Sequence, residues 1–185
     1  MPPGWVTDHK RERARSMAHW LAQYHLRAAS EGWRPVATEE AFTVEIGRAV
    51  LRGNVDRLEA DGDGRLRVID YKTGSSAPTA KDLAAHPQLG SYQVAIAEGG
   101  FREHGTAVAG AALVQLGKVR TAGNAVQSQS SISEDDEPRR FHELIAETAE
   151  GMASATFAAQ PEEGRCRICP VRSSCPAHEE GGRLR

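Results

Sequence analysis

Residues 53–74, "GNVDRLEADGDGRLRVIDYKTG", place two aspartates and a lysine at spacings that suit phosphodiester chemistry. Side chains alternate along a strand, so Val68, Asp70 and Lys72 share one face while Ile69 and Tyr71 take the other. A hairpin through the glycine turn at 61–64 sets Asp56 beside Asp70, and two carboxylates together suit a divalent cation. A lysine next to that ion can orient a water or stabilise developing charge, which is the equipment of metal-assisted phosphodiester hydrolysis. The plainer reading of an isolated D-x-K is a surface ion pair, Asp70 with Lys72 or Arg57. A calcium loop over "DGDGRLRVIDYK" is excluded, because Arg65, Leu66 and Lys72 stand where such a loop needs an oxygen ligand, a glycine and a glutamate.

These residues need a scaffold, and the surrounding pattern supplies one. Ala14, Met17, Ala18, Leu21, Tyr24 and Ala28 recur at helical steps and predict a helix over Asp8–Ser30, with Thr7 or Asp8 capping its first turn. "PVATEEAFTVEIG" and "AVLRGNVDRLEA" read as strands, and with "RLRVIDYKTG" they form an antiparallel meander. A helix is expected over 88–98, ended by Gly99 and Gly100, before a buried strand in "VAGAALVQLG". The polar stretch 121–138 is mostly loop with room for an edge strand, and a last helix starts at Pro138 and leads into a cysteine-bearing tail.

Length and charge bound the rest. The chain has 185 residues, 39% of them hydrophobic, enough for one core with small appendages. With 23 basic and 25 acidic side chains the net charge is -2, so any contact with nucleic acid is local rather than driven by a global field. No apolar run approaches the roughly 20 residues that span a bilayer, and the N-terminus lacks a signal-peptide core. The expectation is a cytoplasmic protein with no membrane partner. Three cysteines within ten residues are an odd number and too clustered for a disulfide framework, which favours a metal or cluster site.

At these motifs the sequence resembles the PD-(D/E)XK nuclease superfamily, and within it the RecB-like exonuclease domains. "GNVDR" is similar to the family's G-x-x-D-R segment and "IDYKTG" to its D-Y-K-T-G signature. The resemblance implies that Asp56 and Asp70 bind Mg2+ or Mn2+, with the Tyr71 backbone carbonyl as a third ligand and Lys72 as the catalytic lysine. "QLGSY" is similar to the family's Q-x-x-x-Y motif, which puts Gln88 and Tyr92 on one helix face, supporting the site or touching DNA. Glu40 is the candidate for an acidic residue ahead of the core strand, with Glu39 and Glu45 competing. Arg57, Lys81, Arg165, Arg167 and Arg172 are candidate phosphate contacts, or simply solvated charges. The implied fold is α/β, a mixed central sheet flanked by helices as in restriction endonucleases.

The tail "CRICPVRSSCPAH" spaces Cys166, Cys169 and Cys175 as C-x2-C-x5-C. AddB- and AdnAB-type nuclease domains look similar here, with three such cysteines and a fourth from upstream holding a [4Fe-4S] cluster. This sequence has no fourth cysteine, so either the partner lies outside it or His178 completes a Cys3His zinc site. The relatives' metal-binding histidine near the domain start is also unmatched, since His9, His19 and His25 fall on the later helix. The resemblance therefore implies the C-terminal part of a nuclease domain, a core over 1–160 lacking its N-terminal part and a cysteine-rich tail over 161–185. The implied substrate is DNA, preferentially single-stranded, delivered by a helicase on the same or a partner chain in DNA repair or recombination. The other class to weigh is a catalytically inactive DNA-binding or structural module of the same fold, or a nuclease stabilised by zinc.

Overall fold

The computed structural model describes residues 4–117, 125–156, 158–178 and 181. The chain divides into two compact units, Met1–Ala149 and Glu150–Arg185. In the first unit, helix α1 (Trp5–Ser30) leads into a meander of β1 (Arg34–Ile46), β2 (Ala49–Ala60) and β3 (Leu66–Lys72). Helices α2 (Ala80–Ala84) and α3 (Pro87–Ala97) then connect to β4 (Val108–Gln115) and β5 (Ala125–Gln129), and α4 (Arg140–Ala153) follows. The sheet order is β1-β2-β3-β4-β5, antiparallel except for the parallel pair β3–β4. A parallel pair needs a crossover, and α2 and α3 make it. The fold is thus the expected mixed sheet flanked by helices.

Each sheet face carries its own core. On one side Val68, Leu58, Ala111 and Leu113 pack with Leu89, Ala95 and Ile96 of α3. On the other, Ile69, Ala112 and Val114 pack with Tyr24 and Ala28 of α1. Strand alternation therefore sorts Val68 from Ile69 as the sequence pattern requires. Met17, Leu21, Tyr24 and Ala28 form the inward stripe of α1, but Ala14 and Ala18 are exposed, Ala14 lying ahead of the first packed residue and Ala18 on the flank away from that stripe. The helix also starts earlier than expected, at Trp5, with Gly4 as its N-cap and no side-chain cap from Thr7 or Asp8. Gly99, in left-handed geometry at φ 78°, closes α3 as its N–H returns to the Ile96 carbonyl. No helix among the described residues is long and apolar enough to cross a membrane.

In the second unit the short helix α5 (Glu163–Arg167) and a 3-10 turn over Arg172–Ser174 carry the cysteines. Its turns close locally, with Cys169 N–H on the Cys166 carbonyl and His178 N–H on the Cys175 carbonyl.

Candidate active site

The glycine turn is what brings the two aspartates together. Asp61 Oδ1 accepts from the backbone of Asp63 and Arg65, folding the hairpin back so that Arg57 pairs with Ile69 and Glu59 with Arg67. The ladder stops there. One step further would set Asp56 opposite Asp70, and at that step the Asp56 carboxylate itself accepts the Tyr71 N–H, at 2.7 Å from Oδ2. The side chain stands in for a missing strand bond and is pinned beside β3.

A second irregularity flanks Asp56. Val55 and Leu58 lie three residues apart yet pack in the same core, so the alternation of β2 slips once between them. On β1 the pairs Thr38–Arg57 and Glu40–Val55 bracket Glu39, which falls opposite Asp56 and takes φ 51°, the one left-handed non-glycine residue among those described. Such a conformation costs a side-chain-bearing residue about 1–2 kcal/mol and persists only when neighbours enforce it.

Asp70 is 5% exposed and faces α3. Lys72 Nζ stands 2.7 Å from Asp70 Oδ2, a short ion pair. Lys72 Nζ also donates to Gln88 Oε1 at 3.0 Å, Gln88 Nε2 donates to Tyr92 Oη at 2.9 Å, and Tyr92 Oη donates to Asp70 Oδ1 at 3.5 Å. Gln88 and Tyr92, one helical turn apart on α3, thus close a ring over Asp70 and Lys72. Burial first, and then the Asp70 charge, raise the Tyr92 hydroxyl above its usual range, which keeps it a donor.

The loop after Lys72 is clamped from three sides. The Lys72 carbonyl accepts from Leu116 and Gly117, and the Thr73 carbonyl accepts from Arg13 Nη2 at 2.7 Å. Tyr71, pointing to the other face, shares a 2.9 Å hydrogen bond between its hydroxyl and His25 Nε2.

Glu40 sits on the Phe42–Val44 side of β1, half-buried, opposite Val55 and so next to Asp56. Glu45 lies further out, opposite Val50. Arg57 departs from the sequence expectation. It lies on the α1 face, where it is 9% exposed and binds Glu59 Oε1 at 2.7 Å. Arg57 and Glu59, two residues apart on the regular end of β2, share that face, which leaves this guanidinium paired in the interior instead of facing a phosphate. His9 and His19 are exposed, and Lys81, Arg165, Arg167 and Arg172 are solvated.

Sequence reasoning missed His86. It caps α3 through Nδ1, which accepts the Leu89 N–H at 3.5 Å, and the charges of Lys72 and Asp70 both act on it. A histidine directly before proline at a helix start was the available signal.

Two carboxylates on neighbouring strands, Asp56 with one oxygen free of the Tyr71 N–H and Asp70 buried beside Lys72, are the hard oxygen donors that suit a divalent cation. The cysteines fit less well. All three thiols are half-buried and in no disulfide, and His178 Nε2 is buried without a partner among the described residues, as suits a soft metal. Yet among the described residues no three of His, Cys, Asp and Glu converge closely enough to hold an ion.

Comparison with known proteins gives the family. Residues 1–176 match the family model described as the PD-(D/E)XK nuclease superfamily. The gene 69 protein of Mycobacterium phage D29 is 30% identical over 144 residues, covering 76% of this chain and 48% of the phage protein. An ATP-dependent helicase/deoxyribonuclease subunit of Symbiobacterium thermophilum is 37% identical over 87 residues, 37% of this chain and 8% of that protein. The corresponding helicase/deoxyribonuclease protein of Streptococcus equi subsp. zooepidemicus is 36% identical over 73 residues, 36% of this chain and 6% of its own length. The chain thus spans about half the length of the phage relative and a small fraction of the helicase/deoxyribonuclease relatives.

Proposed function

The chain belongs to the PD-(D/E)XK nuclease superfamily, and we propose that it is a RecB-like deoxyribonuclease domain that hydrolyses DNA from an end with Mg2+ or Mn2+. The observation that carries this reading is the grouping itself: Asp56, pinned by the Tyr71 N–H, lies on the strand beside Asp70, which is buried against the Lys72 ammonium, and Gln88 and Tyr92 close over the lysine and Asp70.

In this reading the Asp56 and Asp70 carboxylates and the Tyr71 carbonyl hold the cation. A divalent ion bound there polarises the phosphate and lowers the pKa of water. Lys72 stabilises the charge that develops on the phosphoryl oxygens, and Gln88 holds its ammonium in place. Tyr92 orients Asp70 through its hydroxyl. Glu40 lines the same side of the sheet beside Asp56.

The names of the helicase/deoxyribonuclease relatives support a helicase as the motor that delivers the strand, on the same or a partner chain, and DNA repair or recombination is the setting we propose for it. Single-stranded DNA is the proposed substrate form. Residues 1–160 make up the nuclease core in this scheme and 161–185 the cysteine-rich tail. There Cys166, Cys169 and Cys175 hold a [4Fe-4S] cluster with a donor from outside this sequence, or zinc with His178. Protein purified without air distinguishes the two, since a cluster is brown and its iron and sulfide are countable, whereas zinc is colourless.

The deciding experiment is Mn2+-dependent digestion of end-labelled single-stranded DNA by the chain and by Asp70→Ala. Cleavage present in the first and absent in the second is the expected result. No cleavage by either folded protein overturns the enzymatic reading in favour of a DNA-binding or structural module.

A further inference from the structure

Helix α1 runs antiparallel to β3. Near the start of that strand Arg67 Nη2 donates to the Tyr24 hydroxyl at 3.4 Å, and just past its end Arg13 Nη2 donates to the Thr73 carbonyl at 2.7 Å. The turns of α1 ahead of Arg13 therefore project beyond the end of β3 that carries Lys72, at about 1.5 Å per residue. These turns are rich in cations, since Lys10, Arg11, Arg13 and Arg15 stand close together and all are exposed.

The four are not alike. Arg11 lies 3.5 Å from Asp8 and Arg15 3.9 Å from Glu12, whereas Lys10 and Arg13 have no acidic partner among the described residues. The packed stripe of Ala28, Tyr24, Leu21 and Met17, continued backwards by the same four- and three-residue steps, arrives at Arg13 and then at Lys10. The two unpaired cations thus fall on the face of α1 that covers the sheet, at the level where β3 has ended, and the Arg13 bond to Thr73 fixes that direction.

Charge decides what such a face meets. Asp56 and Asp70 make the site negative, so a phosphate strand approaching it needs cations alongside. Arg57 is buried against Glu59 and supplies none, and Lys72 is engaged by Asp70 and Gln88. Arg13 is an exposed cation bonded to the very residue that follows Lys72, and its guanidinium has further donors to give. We infer that the first turns of α1 are a track for the sugar–phosphate backbone of a single DNA strand, with Arg13 and Lys10 contacting phosphates of the segment that leads to Lys72. This rests on the nuclease reading and deepens it by saying where the substrate runs. An acidic protein surface would meet the same charges, but the tie to Thr73 puts the track at the catalytic lysine and favours the strand being cut.

The test compares Lys10→Gln and Arg13→Gln with Arg11→Gln and Arg15→Gln, whose charges lie off the stripe. Each variant is melted, and its Kd for a single-stranded oligonucleotide is read by fluorescence anisotropy between about 50 and 200 mM salt, with Ca2+ replacing Mn2+ to hold off cleavage. Mn2+-dependent hydrolysis is then measured on the oligonucleotide and on bis(p-nitrophenyl) phosphate, a diester too small to reach α1. The expected result is wild-type melting throughout, with binding weakened about threefold or more by each track variant and the slope of log Kd against log salt lowered by about 0.7, the share of one phosphate contact on a single strand. In those two variants KM for the oligonucleotide rises by a larger factor than any change on the small diester. Oligonucleotide Kd and slope equal to wild type overturn the track and return its cations to a protein partner. Equal weakening by all four variants also overturns it, as does a loss just as large on the small diester, which would report a displaced Lys72. A wild-type chain that neither binds nor cleaves the oligonucleotide overturns the nuclease reading itself, a result distinct from any difference among the variants.

Discussion

The Tyr71 N–H donates to Asp56 Oδ2 at 2.7 Å, at the point where the ladder between β2 and β3 runs out. One oxygen of Asp56 is thereby committed to structure, and the other is left for a ligand. Two substitutions divide these roles. Asp56→Asn keeps an acceptor for Tyr71 and melts within a degree or two of wild type, but loses Mn2+-dependent cleavage. Asp56→Ala loses both, with a stability cost of about 1 kcal/mol from the missing hydrogen bond. Thermal melts beside a cleavage assay check the pair, and retained cleavage in Asp56→Asn would count against the carboxylate pair.

Behind that face lies a buried charge cluster whose loss should unfold the domain. Glu59 is fully buried, binding Arg57 at 2.7 Å, Arg67 at 2.8 Å and the Tyr24 hydroxyl at 2.9 Å. Arg67 also lies 3.6 Å over the Trp33 ring. Burial, then the Glu59 charge, raise the Tyr24 hydroxyl far above its usual range, so it remains a donor. Glu59→Ala leaves two interior guanidinium groups without an anion, at a cost of roughly 3–5 kcal/mol. Urea denaturation measures it, and a loss under about 1 kcal/mol would show that water reaches the cluster.

The contrast between Asp56 and Glu59 shows what the sequence carries and what it hides. Asp70 and Lys72 share a face by the two-residue period of a strand, and Gln88 and Tyr92 by the turn of a helix, so their grouping follows from local geometry alone. Glu59 looks like an isolated acid in an apolar run, because its partners Tyr24 and Arg67 arrive through tertiary packing and strand register. Arg57 was misplaced for a simpler reason. Adjacency in sequence to Asp56 suggests a shared site, whereas Arg57 takes the face of Glu59, two residues on, and pairs with it there. The left-handed Glu39 has no sequence signal, since the slip in β2 that imposes it depends on how β1 pairs. The cysteine spacing is legible too, but convergence of the thiols is a property of the folded tail.

Two histidines make stability sensitive to acid. Partial burial lowers both His25 and His86 below the ordinary imidazole range, with the Arg57 charge adding for His25 and the Lys72 charge for His86. The folded chain therefore binds fewer protons than the unfolded one below about pH 6.5, so stability is complete above that pH and falls as pH drops through and below it. Melting temperatures recorded between about pH 7.5 and 5.5 should decline for wild type, and the double variant His25→Gln, His86→Asn should show a shallower decline. Parallel slopes would mean that carboxylates alone set the acid response.

The last prediction concerns a residue outside every motif. Gly117, just past β4, donates its N–H to the Lys72 carbonyl, and a Cβ built on it would run into the Thr73 carbonyl. That obstacle is backbone, not a flexible side chain, so Gly117→Ala must displace the loop that follows Lys72. Since Arg13 holds the same Thr73 carbonyl from α1, the strain passes into β3 and shifts the Lys72 ammonium relative to Gln88. A displacement near 1 Å at a catalytic group costs on the order of a hundredfold in rate. The expected outcome is a variant that folds, melts a few degrees lower and loses kcat far more than it loses DNA affinity. Gly74→Ala serves as the control, because a Cβ there meets open space and the activity should hold. Equal activity in the two variants would show that the clamp on the loop does not govern the position of Lys72.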